Sequence, residues 1–459
     1  MMYPVSRFLL SASLLLGVAW ADKSAPNTHW LSRKPVPIAH WTVKGTHTPV
    51  YFVPRHDVAM LDIALVLQAG SARDGKQWGL ANITGAVIGT GTHQHSEQQM
   101  AERLSDVGAS LSTDVTRDAM VIHFRTMTNP HYYHDAIRTW GEAVTQLRVD
   151  PAVVTRLKSQ TQVVLSAEKD QTSSVAAKAL FKALYGDHPY GHPIKGNVST
   201  LAGITADDVL RFYQDHTVQN QLSVVLVGDV SLKEAHRLAR QVTIALPKGE
   251  SLKPLPLRVA PVAPKRVFVP MKKSQDALFI AQLGFLPYDS HYYPRLVGNQ
   301  AFGGAALTSM LFKEVREKRG LAYYAASQVP SLSAGAPFLM MTQSRLSAAR
   351  QANRVMRTTF SQFVAKGLSQ ATLSETKRSL TGQFPLMYAS NGSILSRMVG
   401  MVVHHYPMTF FADYPKRIEA VNNALVRQAF ASLESQQWVQ VAAGGANIFK
   451  ATTPKRAKK

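Results

Sequence analysis

The chain has 459 residues, with 51 Lys+Arg against 29 Asp+Glu and a net charge of +22. Hydrophobic residues make up 46% and charged residues 17%, which fits a globular chain with large cores and excludes disorder, collagen and coiled coil as the main architecture. There is no Cys, so disulfide staples, thiolate zinc sites, cysteine nucleophiles and an acylated lipoprotein cysteine are excluded.

Residues 1–21 have the pattern of a cleaved secretory signal. Arg7 supplies the positive start, Phe8 to Val18 the apolar run, and Ala19-Trp20-Ala21 the small-x-small site, which puts the mature start at Asp22. The alternative is a membrane anchor, but spanning takes about 20 apolar residues. No later stretch is long and apolar enough, so no transmembrane segment is expected. The expected location is periplasmic or secreted. A pI near 10.1 raises nucleic acid, anionic lipid and anionic cell-wall polymers as partners. The basic residues are scattered, however, and export argues against nucleic acid. The densest run is the tail 446–459, with Lys455, Arg456, Lys458 and Lys459, either a solvated end or a binding arm.

Residues 22–44 form an irregular lead-in. Strands are expected at 50–53 and 60–68, where Leu61, Ile63, Leu65 and Leu67 alternate onto one face. Helices follow at 78–90 and 96–107, a strand at 114–126 and a helix at 134–147. Asp150-Pro151, a cap followed by a first-turn proline, starts a helix that runs toward Asp170. Further elements are a helix at 207–216, a buried strand at 222–228 and a helix at 231–246. The stretch 251–265 holds four prolines and no helical period, the mark of an extended linker. Strands at 277–283, 323–329 and 336–344 and helices at 291–300, 311–318, 347–366 and 369–390 repeat the order of the first half. A duplicated α+β architecture is expected, with domains at 45–250 and 267–445 joined by a linker at 251–266.

Several segments resemble the pitrilysin/insulinase superfamily of zinc metallopeptidases, the group that includes mitochondrial processing peptidase. They are Gln68-Ala-Gly-Ser-Ala-Arg-Asp74 with Gly79-Leu-Ala81, the loop Leu184 to Gly196, Ile204 to Tyr213, Val224 to Asp229, Gly303-Gly304, and above all Leu311 to Tyr323. The resemblance covers nearly all of residues 45–440 in order. It implies two similar α+β domains, each a mostly antiparallel sheet packed with helices, facing each other around a chamber.

The family's zinc motif is H-x-x-E-H. Two His one helical turn apart hold the metal, and the Glu acts as general base on the metal-bound water. Aligned on Gly79-Leu80-Ala81, those positions are Asn82, Gly85 and Ala86. The downstream helix that brings the family's ligand Glu has Gln160 and Ala167 at its acidic positions. Glu168 is one residue away, a rotation of about 100° on a helix. None of the 16 His lies in H-x-x-E-H or H-E-x-x-H. His188 and His192 are four apart but sit among Pro and Gly, while His131/His134 and His93/His95 lack a base at useful spacing. No cofactor is therefore expected in this chain.

Arg316 and Tyr323 are retained, seven apart. The resemblance implies that they reach the substrate, the guanidinium on a backbone carbonyl and the phenol on the oxyanion. Alone, they would read as a surface Arg and a core Tyr at a helix-to-strand junction. Gly303-Gly304 is either a turn or a Gly-rich loop that lets a substrate backbone approach closely. The pattern is that of the family's non-catalytic subunit, which supplies Arg and Tyr in trans. The implied partners are a homologous zinc-bearing peptidase subunit and unfolded peptide. The alternative is a non-enzymatic peptide-holding or assembly scaffold of the cell envelope.

Overall fold

The computed structural model describes residues 37–450, apart from Ser251, Leu257, Pro261, Pro287 and residues 435–437. The expected signal segment 1–21, residues 22–36 of the lead-in and residues 451–459 of the tail lie outside the described residues.

The first half runs β1 (Ala39–Thr42), β2 (Pro49–Pro54), β3 (Met60–Leu67), α1 (Leu80–Val87), α2 (Glu97–Asp106), β4 (Ser110–Val115), β5 (Met120–Met127), α3 (Pro130–Thr145), α4 (Pro151–Lys169), α5 (Thr172–Tyr185), α6 (Val198–Ala202), α7 (Ala206–His216), β6 (Leu222–Gly228) and α8 (Leu232–Ile244). The second half runs β7 (Lys265–Pro270), β8 (Gln275–Phe285), α9 (Tyr292–Asn299), α10 (Met310–Phe312), β9 (Ala322–Gln328), β10 (Ala336–Arg345), α11 (Leu346–Lys366), α12 (Gln370–Gln383), α13 (Asn391–Val403), α14 (Phe410–Glu419), α15 (Asn423–Glu434) and β11 (Val439–Gly444).

The first sheet has the order β1-β2-β6-β3-β5-β4, and the second β7-β11-β8-β10-β9. Setting β2 to β6 against β7 to β11 in chain order makes the two sheets the same, with β1 as an extra edge strand. The correspondence extends to direction: β2·β6 and β7·β11 are parallel, and the remaining neighbours are antiparallel. The fold is two α+β domains of one topology, each a mostly antiparallel sheet packed with helices, as in the clam-shell peptidases.

Local chemistry sets the element ends. Asn129 accepts from the N–H of His131 and Asp150 from that of Ala152, each with proline in the first turn behind it. Ser96 and Gln99 form a reciprocal capping box on α2. The alternation on β3 holds: Leu61, Ile63, Leu65 and Leu67 enter one core with Trp140, while Ala64 and Val66 enter another.

Three expectations are corrected. The strand expected at 114–126 is a hairpin, because the Thr116 hydroxyl accepts from the N–H of Asp118 and Ala119 and turns the chain between β4 and β5. The helix expected at 369–390 stops at Gln383 and continues as a 3₁₀ turn, Phe384–Tyr388, since Pro385 has no N–H to donate. The helices expected at 291–300 and 311–318 tail into wider π turns, Gln300–Gly304 and Lys313–Glu317.

Helices α5 and α13 were unmarked by the sequence pattern, and they join the halves. α5 packs on β8 and β11 of the second sheet, and α13 packs on β3 and β6 of the first. A polar clasp lies beside them. Tyr190 donates its hydroxyl to Asp118 and accepts the N–H of Ala334 at 3.2 Å. Asp118 also accepts the N–H of Ser333 at 3.2 Å, and Tyr185 donates to the Gly335 carbonyl at 2.8 Å. The Arg117 guanidinium lies 3.9 Å over the Phe181 ring and donates to the Tyr190 carbonyl.

Leu180 of α5 is fully buried in the core that spans both halves. Leu180→Ala is expected to cost about 2–5 kcal/mol and to lower a single calorimetric transition. Two separated transitions would show halves that unfold independently.

Candidate functional site

Helix α1 carries the degenerate metal positions, and four constraints hold it. The Asp74 carboxylate accepts the N–H of Gly79 at 2.7 Å and of Ala81 at 2.8 Å, capping the helix start. Burial pushes Asp74 up to about 7, against the pull of those two N–H groups. Gly79 has φ +100°, and a Cβ there would lie 2.8 Å from the Lys195 carbonyl oxygen. Gly196 has φ +69°, and a Cβ there would lie 2.0 Å from the Trp78 carbonyl oxygen. The two glycines let strand-to-helix turn and loop close on each other. Thr200 seals them by donating to the same Trp78 carbonyl at 2.8 Å.

On that helix Asn82 is half-buried, Gly85 buried and Ala86 exposed. A Cβ on Gly85 would lie 2.9 Å from a Val115 methyl and 3.1 Å from a Thr113 methyl, so the general-base position is packed against β4. α4 packs on α1. Its face bearing Gln160 and Ala167 is exposed and also carries Val163 and Val164, which are 70% and 44% exposed. Glu168 is engaged elsewhere: Lys178 and Lys195 reach it at 2.7 and 2.8 Å. Burial opposes its charge, but the two ammonium groups outweigh burial and hold the carboxyl below its ordinary value.

The histidines of the loop are also engaged. His188 bonds the Pro256 carbonyl at 2.8 Å and accepts the N–H of Tyr190. His192 stacks on Trp78 at 5.4 Å, and burial lowers its pKa. His95 lies 2.5 Å from Glu142 and 3.1 Å from Arg103. Among the described residues no group of three or more His, Cys, Asp or Glu could hold a metal ion. A zinc ion needs three or four N, O or S donors, and the amide, hydrogen and methyl at Asn82, Gly85 and Ala86 do not fit one.

In the second half Arg316 and Tyr323 meet. The guanidinium carbon lies 4.4 Å over the Tyr323 ring and 5.1 Å from the Phe312 ring. Among the described residues Arg316 has no carboxylate partner, because Glu314 is taken by Lys318 and Arg319. Tyr323 is 77% exposed. Its neighbour Tyr324 is half-buried on the other face of β9, with its carbonyl bonded by Thr342. Gly320, at φ +56°, ends the helical turn by donating to the Arg316 carbonyl at 2.8 Å.

Gly303 and Gly304 end the π turn that follows α9. A Cβ on Gly303 would lie 2.5 Å from Ser327 Oγ, so this glycine lets the turn press against β9. Gly304 is exposed. Asp74 as the α1 cap was not visible in the sequence, because it lies six residues before Leu80, outside the N-cap position where a capping acid is expected. The pattern reading also missed the Arg117–Asp118 clasp, which lies inside the turn taken for a strand.

Residues 54–197 match the model of the insulinase family, peptidase family M16, and residues 203–380 match that family's peptidase M16 inactive domain. An uncharacterized zinc protease of Streptomyces coelicolor is 29% identical over 224 residues, 47% of this chain and 48% of its own length. A non-peptidase homolog of Helicobacter pylori is 22% identical over 364 residues, 79% of this chain and 82% of its own. Among solved structures, a peptidase M16 inactive domain from Pseudomonas fluorescens superposes with a TM-score of 0.86 at 27% identity, covering 91% of this chain and 100% of that one.

Asp74 generates a pH prediction. Its carboxyl releases its proton near 3.8 when unfolded and near 7 when folded. In between, the folded chain holds a proton that the unfolded chain has lost. The stabilisation is complete below about 4 and disappears as pH rises through about 7. Asp74→Asn keeps an acceptor but cannot titrate. The melting temperature of the wild type minus that of the variant is therefore expected to fall between about pH 4 and pH 7 and to level off above that. A constant difference would refute the shifted carboxyl.

Proposed function

The chain belongs to the insulinase-type peptidase family M16, and from that membership we propose that it is the non-catalytic subunit of a heterodimeric zinc metallopeptidase, exported to the periplasm or secreted after signal cleavage at Asp22. One observation carries the reading. Helices α1 and α4 pack together while Asn82, Gly85, Ala86, Gln160 and Ala167 supply no donor set, and Arg316, half-buried and without a carboxylate partner among the described residues, lies against an exposed Tyr323.

The chemistry available to this chain is binding and charge stabilisation. Arg316 donates to a peptide carbonyl and Tyr323 to an oxygen that gains negative charge, while the metal belongs to a homologous partner. β9 is one of the two edge strands of the second sheet, the position at which an unfolded peptide would add as a strand.

A second reading, an assembly scaffold of the cell envelope, draws on charge. Residues 265–459 hold 25 Lys+Arg against 8 Asp+Glu, while residues 1–264 hold 26 against 21. The second half is thus the basic one, suited to anionic polymers.

The purified chain is expected to bind no stoichiometric zinc and to cleave no peptide until its partner is added. Chelator-sensitive cleavage by the chain alone would overturn the subunit reading. In the reconstituted pair, Arg316→Ala with Tyr323→Phe is expected to lower kcat about 100-fold or more. Undiminished turnover, or binding of anionic polymer with no turnover in any pairing, favours the scaffold.

A further inference from the structure

A cavity of about 730 Å³ opens in the second half, within the range of about 300–1,000 Å³ typical of ligand sites. One wall is a single face of α13, with Ser393, Ser396, Arg397, Gly400 and His404 at helical spacing. The face beside it buries Ile394, Leu395 and Met398, so α13 is anchored, and its polar face is left to the cavity together with the buried Met401. Tyr292, Tyr406 and Phe410 line the cavity with it.

The charge balance is one-sided. No Asp or Glu lines the cavity. His404 is neutral at pH 7, because burial lowers its pKa against the opposing pull of Asp118. Arg397 is therefore the one formal charge in the lining. Among the described residues its guanidinium has no carboxylate partner and no hydrogen bond. An unpaired guanidinium at the rim of a partly apolar cavity favours a planar anion that takes two parallel N–H bonds. The hydroxyls decide what the anion is attached to. A plain alkyl chain would strip water from the serines and tyrosines and give nothing back, whereas peptide amides pair with them.

We propose that this cavity binds the C-terminal residues of a peptide, with the terminal carboxylate on Arg397 and the last apolar side chain against Phe410. The site is separate from the Arg316–Tyr323 pair and does not rest on the subunit reading, since binding is measured on the chain alone.

The test is calorimetric titration of the full chain with three probes: an N-acetylated tetrapeptide ending in leucine, its C-terminal amide, and decanoate. The free acid is expected to bind. Amidation, or Arg397→Ala, is expected to weaken it about 10- to 100-fold, the loss of a charge-assisted hydrogen-bond pair. Gly400→Leu is the second variant. A Cβ there meets nothing within 4 Å, so the substitution projects bulk into the cavity, and binding is expected to vanish at a melting temperature that is not lowered. The proposal is overturned if the amide binds as tightly as the acid, if decanoate binds and the peptide does not, if Gly400→Leu binds normally, or if millimolar peptide shows no heat.

Discussion

The structure depends on a reciprocal exchange. Each half lends one helix to the sheet of the other, α5 to β8 and β11, and α13 to β3 and β6. A sheet with helices on one face only leaves the opposite face to water, and its strands then alternate apolar and polar. β3 and β8 do not: nearly every residue of both is buried. The second cover comes from the other half of the chain. Each large apolar side chain so covered contributes about 1.5–3 kcal/mol, and Leu180, Leu184, Ile394, Leu395 and Met398 all belong to this set. Parting the halves would expose two apolar sheet faces and two apolar helix faces together, so the two sheets share one cooperative core.

That exchange also explains what the sequence could and could not disclose. Periodicity identifies which side of an element is apolar, so β3, α3, α4, α7 and α8 were legible, along with the duplication of element order. It does not identify what covers that side. α5 and α13 pack on strands about a hundred or more positions away, and α13 carries Gly392, Gly400 and a run of valines that blur a helical signal. The turn at Thr116–Ala119 was hidden because Arg117 is spent on Phe181 and the Tyr190 carbonyl, and Asp118 on Tyr190 and the N–H of Ser333, rather than on solvent.

The candidate site divides in the same way. That Asn82, Gly85 and Ala86 offer no His or Glu at the spacing of the ligand motif was legible because a helix keeps its register, and a register is all that such a motif requires. That Glu168 cannot substitute was legible as a rotation. Its cause, capture by Lys178 and Lys195, needed the fold. The seven-residue interval from Arg316 to Tyr323 crosses a π turn, a left-handed Gly320 and a strand start. No repeat predicts that the two side chains touch, and only the coordinates place the guanidinium over the ring.

The motif glycines carry the last step. Gly79, Gly196 and Gly303 lie in the segments that carry the family resemblance, and the space a Cβ would take at each is occupied by this chain's own Lys195, Trp78 or Ser327. Their requirement is steric and internal. Asp74 likewise caps α1 through two backbone N–H groups and does not depend on what α1 displays. When a metal organises its own site, losing the ligands costs folding energy and the local structure goes with them. Here cap, glycine closure and the α1–α4 contact are all metal-independent. Metal donors at Asn82, Gly85 and Ala86 can therefore be absent without loosening the start of α1 or its contact with α4.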